Sequence, residues 1–237
     1  MSANPWTTFW KQEQSGFFRI MEKSTLASAQ KMEQAGLIRE GQKILDYGCG
    51  PGFFLDFCAK NGIEIAGVDI NPFFIECCQQ KHPAGQFALI PGEIENQTEV
   101  LEKVFAKQKF NVILLLSVAQ YFESPSQLAK VVAILKPLLA RDGCIVIADV
   151  VTPTTSGLRD AFALGLLCLR NGMVLSFIRF FLYLFFSRYR TASKSAQLRH
   201  YTDDEIQQIA KTLDMISIRS AMLTIHPTRS NYILSDN

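Results

Sequence analysis

Lys43-Ile44-Leu45-Asp46-Tyr47-Gly48-Cys49-Gly50-Pro51-Gly52 joins a short apolar strand, an acidic residue near its end and three alternating glycines ahead of a helix. Glycine lets the backbone take positive φ and approach a ligand where a Cβ would clash, and a helix N-terminus offers unpaired N–H groups. The stretch therefore predicts a strand, a tight turn and a ligand held at that turn, and such a pocket suits an adenosine-bearing ligand. A dinucleotide fingerprint would place its third glycine three residues after the second. Phe53 stands there instead.

Outward from this turn, strand and helix alternate, the mark of a parallel sheet covered on both faces. Strands are expected at Lys43 to Tyr47, Ile63 to Asp69, Gln86 to Ile90, Phe110 to Leu116 and Gly143 to Val150, with a final hairpin from Met215 to Thr224 and Arg229 to Leu234. Phe110 to Leu116 is apolar throughout, as a central strand buried on both faces must be. Ser124-Pro125-Ser126-Gln127 and Thr202-Asp203-Asp204-Glu205 read as capping boxes, each satisfying the first free N–H groups of a helix. Leu128, Val131, Val132 and Leu135 then follow at helical spacing.

Asp46-x-Gly48-x-Gly50-x-Gly52 resembles motif I of the class I S-adenosylmethionine-dependent methyltransferases. The resemblance implies a Rossmann-like, doubly wound, seven-stranded and mostly parallel sheet with a final antiparallel hairpin, and S-adenosyl-L-methionine as cofactor. It implies that the turn Gly48, Cys49, Gly50 and Gly52 passes beside the methionine part, which Asp46 orients. Asp69, about twenty positions on with Ile70 beside it, is where a carboxylate accepts hydrogen bonds from ribose hydroxyls. A capping role is the alternative for Asp69, although Asn71-Pro72 already supplies cap and first-turn residue. Pro91-Gly92-Glu93-Ile94-Glu95-Asn96 resembles the family's adenine-recognising Gly-Asp-Ala-Glu-Asp turn, which puts Glu93 and Ile94 at the purine. Ser117 opens the loop after the fourth strand. Cys49 reads as a small residue with a backbone contact rather than as a nucleophile.

The chain has 237 residues, 48% hydrophobic and 19% charged, with a formal net charge of +2. That composition buries a sizeable core and is most simply one domain, 1–237, with an insertion; the resemblance implies that 1–41 is a helical cover, and 151–200 is expected to be an apolar helical insertion, or lid. Trp6, Phe9, Trp10, Phe17 and Phe18 suit an apolar cover, or the packing of that segment on the core. No segment concentrates Lys and Arg into a phosphate-tracking stripe, so no nucleic-acid partner is expected. The six cysteines form no C-x-x-C pair; they read as reduced, packed thiols, neither zinc ligands nor disulfides, which favours the cytoplasm. Met1 to Trp10 lack a basic stretch followed by an apolar one, so no secretory signal is expected.

Between Val151 and His200 the character changes. Phe162 to Leu169 and Met173 to Phe186 are intensely apolar, separated by Arg170-Asn171-Gly172. A membrane-spanning helix needs about twenty uninterrupted apolar residues, so a helical hairpin is expected. Its surplus apolar surface suits the domain, a greasy substrate, a second copy of the chain or a membrane surface, through 157–190.

Methyl transfer from a sulfonium is an in-line displacement, for which a protein supplies mainly proximity, orientation and a dry site. A base is needed only when the acceptor must lose a proton. Catalytic candidates must therefore come from loops beyond the carboxyl ends of the strands: Tyr121, His200 and Tyr201, with Asp149 ending strand five. His82 and His226 read as loop and strand-end residues. The turn after strand four is neither Asn-Pro-Pro-Tyr-like nor Pro-Cys, which turns the expectation away from nucleic-acid bases and toward a small, apolar or lipid-like acceptor. The alternatives are a membrane-surface or self-associating protein built around the insertion, and methylation of a protein or tRNA.

Overall fold

A computed structural model describes residues 15–105, 107–179, 198–220 and 222–237. Trp6, Phe9 and Trp10 lie outside the described residues, as does the second half of the apolar insertion.

Helix α1 (Ser15–Gln34) leads into β1 (Lys43–Tyr47), α2 (Phe53–Lys60), β2 (Glu64–Asp69), α3 (Pro72–Lys81), β3 (Gln86–Leu89), α4 (Gln97–Phe105), β4 (Phe110–Leu116), α5 (Pro125–Leu135) and β5 (Leu139–Val150). Helix α6 (Gly157–Arg170), α7 (Asp203–Thr212), β6 (Met215–Ser220) and β7 (Ser230–Asp236) follow. The seven strands form one sheet in the order β3-β2-β1-β4-β5-β7-β6. The pairs from β3 to β5 are parallel, and β7 runs antiparallel to both β5 and β6. The chain reverses its direction of winding between β1 and β4, the crevice where open α/β sheets bind ligands.

Alternate residues of β1 and β4 feed opposite faces. Leu45, Ile113 and Leu115 pack with α5 and α7 residues on one side, while Ile44, Val112 and Leu114 meet α1 and α2 residues on the other. Both faces are therefore covered, which is why these strands read as unbroken apolar runs.

Two boundaries differ by more than two residues from the sequence expectation. Strand β5 starts at Leu139 rather than Gly143, but its register against β4 jumps between Phe110 and Val112. Asp142 turns there with φ 62, and a Cβ at Gly143 would sit 2.8 Å from the Phe110 carbonyl oxygen. The irregular path is thus threaded past β4 and still counts as strand. Strand β6 ends at Ser220, because the segment toward Arg229 leaves the sheet and turns to the ends of β4 and β5. The glycine turn delays α2 until Phe53, two residues after Pro51.

The break at Arg170-Asn171-Gly172 is a helix end. Asn171 caps α6, Gly172 takes φ 66, and the Met173 amide donates back to Cys168 O at 2.7 Å. Phe177 then folds back onto Gly165, where a Cβ would lie 3.1 Å from its ring. Ile20 of α1 packs with Cys168 and Met173, so the N-terminal helix and the start of the insertion share a small core. Among the described residues no helix is long and apolar enough to cross a membrane.

Candidate active site

The cavity at the winding reversal is built from five parts of the chain. Asp46, Gly48, Cys49, Gly50, Pro51, Phe53 and Phe54 come from β1, its turn and the start of α2, and Leu116, Ser117 and Asp149 from the ends of β4 and β5. Met21, Ser24, Thr25 and Ser28 form one face of α1 at helical spacing, and Thr224 and His226 come from the β6–β7 connection. Lys31 on α1 donates to Thr224 O at 2.7 Å, tying two of these parts together.

The three turn glycines serve different needs. All take positive φ: 81 at Gly48, 51 at Gly50 and 80 at Gly52. A Cβ at Gly48 would meet Val118 Cγ2 at 2.7 Å and one at Gly52 would meet Cys78 Sγ at 2.9 Å, whereas at Gly50 nothing lies within 4 Å. The outer two let the turn pack, and the middle one leaves space in the cavity. Asp69 fastens the turn: Oδ2 accepts from Gly50 N–H at 2.9 Å and Oδ1 from Asn71 N–H at 2.8 Å. Burial raises its pKa, and the backbone N–H groups of Asn71, Gly50 and Ile70 pull against that rise.

Two further carboxylates, near the ends of β1 and β5 on either side of β4, are in opposite circumstances. Asp46 is 3% exposed and has no hydrogen-bond partner among the described residues. Burial, then the nearby charge of Asp69, pushes its pKa up to about 8. Asp149 is 2% exposed, and its Oδ1 meets His226 Nδ1 at 2.8 Å and accepts from Thr224 Oγ1 at 3.4 Å. Its Oδ2 accepts from Ser117 Oγ at 2.6 Å and Arg229 Nη1 at 2.8 Å. Burial alone would raise the Asp149 pKa, but the hydrogen bond and charge of His226, the Arg229 charge and the Ser117 hydroxyl hold it below the usual carboxylate range. Ser117 and Asp149 both adopt left-handed backbone, φ 57 and 65, a strained conformation for non-glycine residues that clusters at ligand sites. Arg229 continues the network to Asp160 on α6, Nε to Oδ2 at 3.0 Å, and so ties the insertion to the strand ends.

Asp46, Gly48, Cys49, Gly50 and Ser117 thus meet in one cavity, and Asp69 braces it from behind. Gly52 packs beneath the turn. Ile70 and Glu93 are exposed at the ends of β2 and β3, outside this lining, and Ile94 is buried in the core with Ala88 and Leu101. Of the catalytic candidates, Asp149 lines the cavity, while Tyr121, His200 and Tyr201 do not. Tyr201 is a correction: it is fully buried in the core, its amide donating to Val151 O at 2.8 Å, because the chain re-enters the domain there. His200 faces solvent, and Tyr121 is 42% exposed in the short turn before α5. His226 is the opposite correction, a cavity residue that reads in sequence as a strand end. The polar face of α1 was also missed, since attention to its apolar spacing leaves Ser24, Thr25 and Ser28 as mere solvent residues. Among the described residues no cluster has the makings of a metal site.

A family model described as a methyltransferase domain matches residues 38–171, which includes the glycine turn and all five parallel strands. The chain belongs to this methyltransferase domain family. Its fold is that of the class I methyltransferases, and neighbours of known structure hold S-adenosyl-L-methionine or its demethylated product. Among curated relatives, the ubiquinone biosynthesis O-methyltransferase of Pasteurella multocida is 27% identical over 142 residues, covering 57% of each protein. Ribosomal RNA large subunit methyltransferase E of Wolbachia pipientis wMel is 33% identical over 85 residues, 33% of this chain and 36% of that protein. The matched part is therefore little more than half of the first relative and about a third of the second. The fold matches the TehB-like SAM-dependent methyltransferase of Corynebacterium glutamicum, with TM-score 0.55 and 15% identity over 89% of this chain and 87% of that one. It also matches the magnesium protoporphyrin IX methyltransferase of Synechocystis PCC 6803 with bound SAH, with TM-score 0.52 and 15% identity over 97% and 90%.

The residues of the methyltransferase cavity suit this cofactor. A buried carboxylate at Asp46, without a hydrogen-bond partner among the described residues, favours a cationic group, and the open space over Gly50 admits one.

Proposed function

We propose that the chain transfers the methyl group of S-adenosyl-L-methionine to a small, apolar or lipid-like acceptor. The observation that carries the reading is Asp46: a carboxylate buried in the cavity at the winding reversal, with no hydrogen-bond partner among the described residues, gains most from a ligand that brings positive charge. In this reading Asp46, Gly48, Cys49, Gly50 and Gly52 hold the methionine part. Asp69 meets ribose hydroxyls with the lone pairs its two amide bonds leave over, Ile70, Glu93 and Ile94 border the adenine, and Ser117 closes the site toward β4. When bound, the cofactor supplies the electrophilic methyl group. The protein's share is to align the acceptor and exclude water, a task that α1, Phe53, Phe54 and Leu116 suit. Calorimetry tests the reading: the intact chain should bind S-adenosylmethionine and its demethylated product. No binding, or undiminished binding in Asp46→Ala, would remove it.

The acceptor's apolar character is supported by the insertion, and relatives named for ubiquinone biosynthesis, phthiotriol dimycocerosates and malonyl-acyl carrier protein are consistent with it. Relatives named for ribosomal RNA stand against it, but this chain's net charge of +2 offers no polyanion surface. A second reading, that 157–190 rests on an anionic membrane surface, is favoured by one face of α6. Leu158, Phe162, Leu166 and Leu169 are exposed there, followed by Val174, Leu175 and Ile178. Asp160 is the sole acid between 151 and 200, and it is buried against Arg229, while Arg159, Arg170, Arg179, Arg188, Arg190, Lys194 and Arg199 are basic. Apolar area with flanking positive charge suits an interfacial helix. Flotation with phosphatidylserine vesicles and light scattering test it. A monomer that ignores vesicles would defeat it, and a dimer that does so would reassign the face to self-association.

A further inference from the structure

We propose that His226 and Asp149 act together as a general-base pair, so that the acceptor is a phenol-like or enol-like hydroxyl and methylation occurs on oxygen. The proposal rests on the methyltransferase reading of the same cavity and adds which atom of the acceptor reacts.

The geometry carries it. An ionised carboxylate only accepts hydrogen bonds, so the 2.8 Å contact between Asp149 Oδ1 and His226 Nδ1 puts the ring hydrogen on Nδ1. Nε2 is left with a lone pair. His226 lines the cavity shared with Asp46 and Gly50, and among the described residues no group holds Nε2. Asp149 cannot swing away, because Ser117 Oγ, Thr224 Oγ1 and Arg229 Nη1 all bind its carboxylate and its own amide donates to Asn231 Oδ1 at 3.1 Å. The base is thus oriented by a fixed third group, the arrangement that proton abstraction requires.

Asp149 on β5 and Asp160 on α6 oppose the guanidinium of Arg229 on the β6–β7 connection, while Tyr121 lies toward Arg229 and Asp46 on β1 faces the same cavity.

In the step itself the acceptor's O–H proton passes to His226 Nε2, and the freed oxygen pair bonds to the methyl carbon. The methyl–sulfur pair stays with sulfur, which leaves as a neutral thioether, and the imidazolium later returns its proton to water. A neutral aromatic amine attacks with a lone pair it already has and has no need of such a base for the attack. The apolar neighbours Met21, Phe53, Phe54 and Leu116 suit an aromatic or enolic carrier of the hydroxyl.

The test uses 4-nitrophenol, whose phenolate absorbs visible light, at a pH below its own ionisation. Wild-type protein should generate the phenolate band on binding. His226→Asn keeps an N–H donor near Asp149 but removes Nε2; it should abolish the band, leave S-adenosylmethionine affinity unchanged, slow methylation of the probe about 100-fold or more and flatten the acid limb of its pH profile. His226→Gln provides a second variant. On wild-type protein alone, 15N shifts should report an Nδ1–H tautomer. An Nε2–H tautomer, no band with wild type, a band retained in both variants, or preferential methylation of 4-nitroaniline would each overturn the proposal. Failure of wild type to bind S-adenosylmethionine would instead sink the methyltransferase reading beneath it.

Discussion

Asp46 and Asp149 end strands on either side of β4, are almost equally buried and face one cavity, yet they solve the problem of a buried carboxylate in opposite ways. Asp149 is surrounded by donors and stays ionised, its charge used inside the protein. Asp46 has no such partners among the described residues, and burial pushes its pKa up to about 8. Burying an ion is costly unless it is paired. One carboxylate is therefore scaffolding for the side chains around it, and the other, in the proposed reading, receives the cation of a ligand.

The contrast predicts its own largest perturbation. Asp149→Ala strands Arg229 and removes the acceptor of His226 and Ser117, and it should cost about 3–5 kcal/mol in urea unfolding. A loss no greater than that of a surface substitution would show that the network does not hold the strand ends together. Asp46→Asn should do the reverse, leaving the unliganded protein at least as stable while weakening S-adenosylmethionine binding about 10- to 100-fold by calorimetry, the share of a hydrogen bond to a charged group.

The same residue sets a pH dependence with a definite sign. In the unfolded chain the Asp46 carboxyl ionises near pH ~4, whereas in the folded protein it does so at about 8. Between those values the folded state binds more protons, so the stability of the ligand-free protein should fall as pH rises through that window. Asp69, whose pKa is also raised by burial, adds to the fall. Asp46→Asn should flatten the slope in a pH series of unfolding curves. A ligand cation beside Asp46 favours its ionised form, so cofactor affinity should rise over the same window in wild type and not in the variant.

Smaller effects separate the glycines. Gly48→Ala combines left-handed strain with a 2.7 Å approach to Val118, and should destabilise by about 2–4 kcal/mol. Gly50→Ala adds strain alone, about 1 kcal/mol, yet intrudes on the cavity; it should lose cofactor affinity out of proportion to its stability loss. Least of all, His200→Ala should leave unfolding within about 0.5 kcal/mol of wild type and cofactor binding unchanged, since His200 faces solvent. A large loss of activity there would reopen its candidacy as a base.

Much of the fold was legible because its signals are local. Lys43–Tyr47 and Phe110–Leu116 coincide with the expected strands, and the Ser124 and Thr202 caps lie where the cap spacing puts them, with both reciprocal bonds made at Thr202. A strand's burial and a helix's cap depend on residues within a few positions, so chain order is enough to read them. The glycine turn and the carboxylates Asp46 and Asp69 were readable for the same reason, being tied to the ends of those strands.

The wall opposite them was not. His226 and Thr224 come from a connection that leaves the sheet after Ser220, and they meet Asp149 across more than seventy residues of sequence. No periodicity marks that encounter, because it depends on β7 inserting between β5 and β6 and swinging the connection over the strand ends. Tyr201 and His200 illustrate the converse: neighbours in sequence just before a capped helix, one is driven into the core and the other left in water by the direction in which the chain re-enters. By itself the sequence determined the sheet, its winding and the glycine turn that borders the cavity, all products of short-range pattern and backbone sterics. Which side chains face the cavity from the other side was decided only in the tertiary structure, where distant loops converge and buried charge must find its partners.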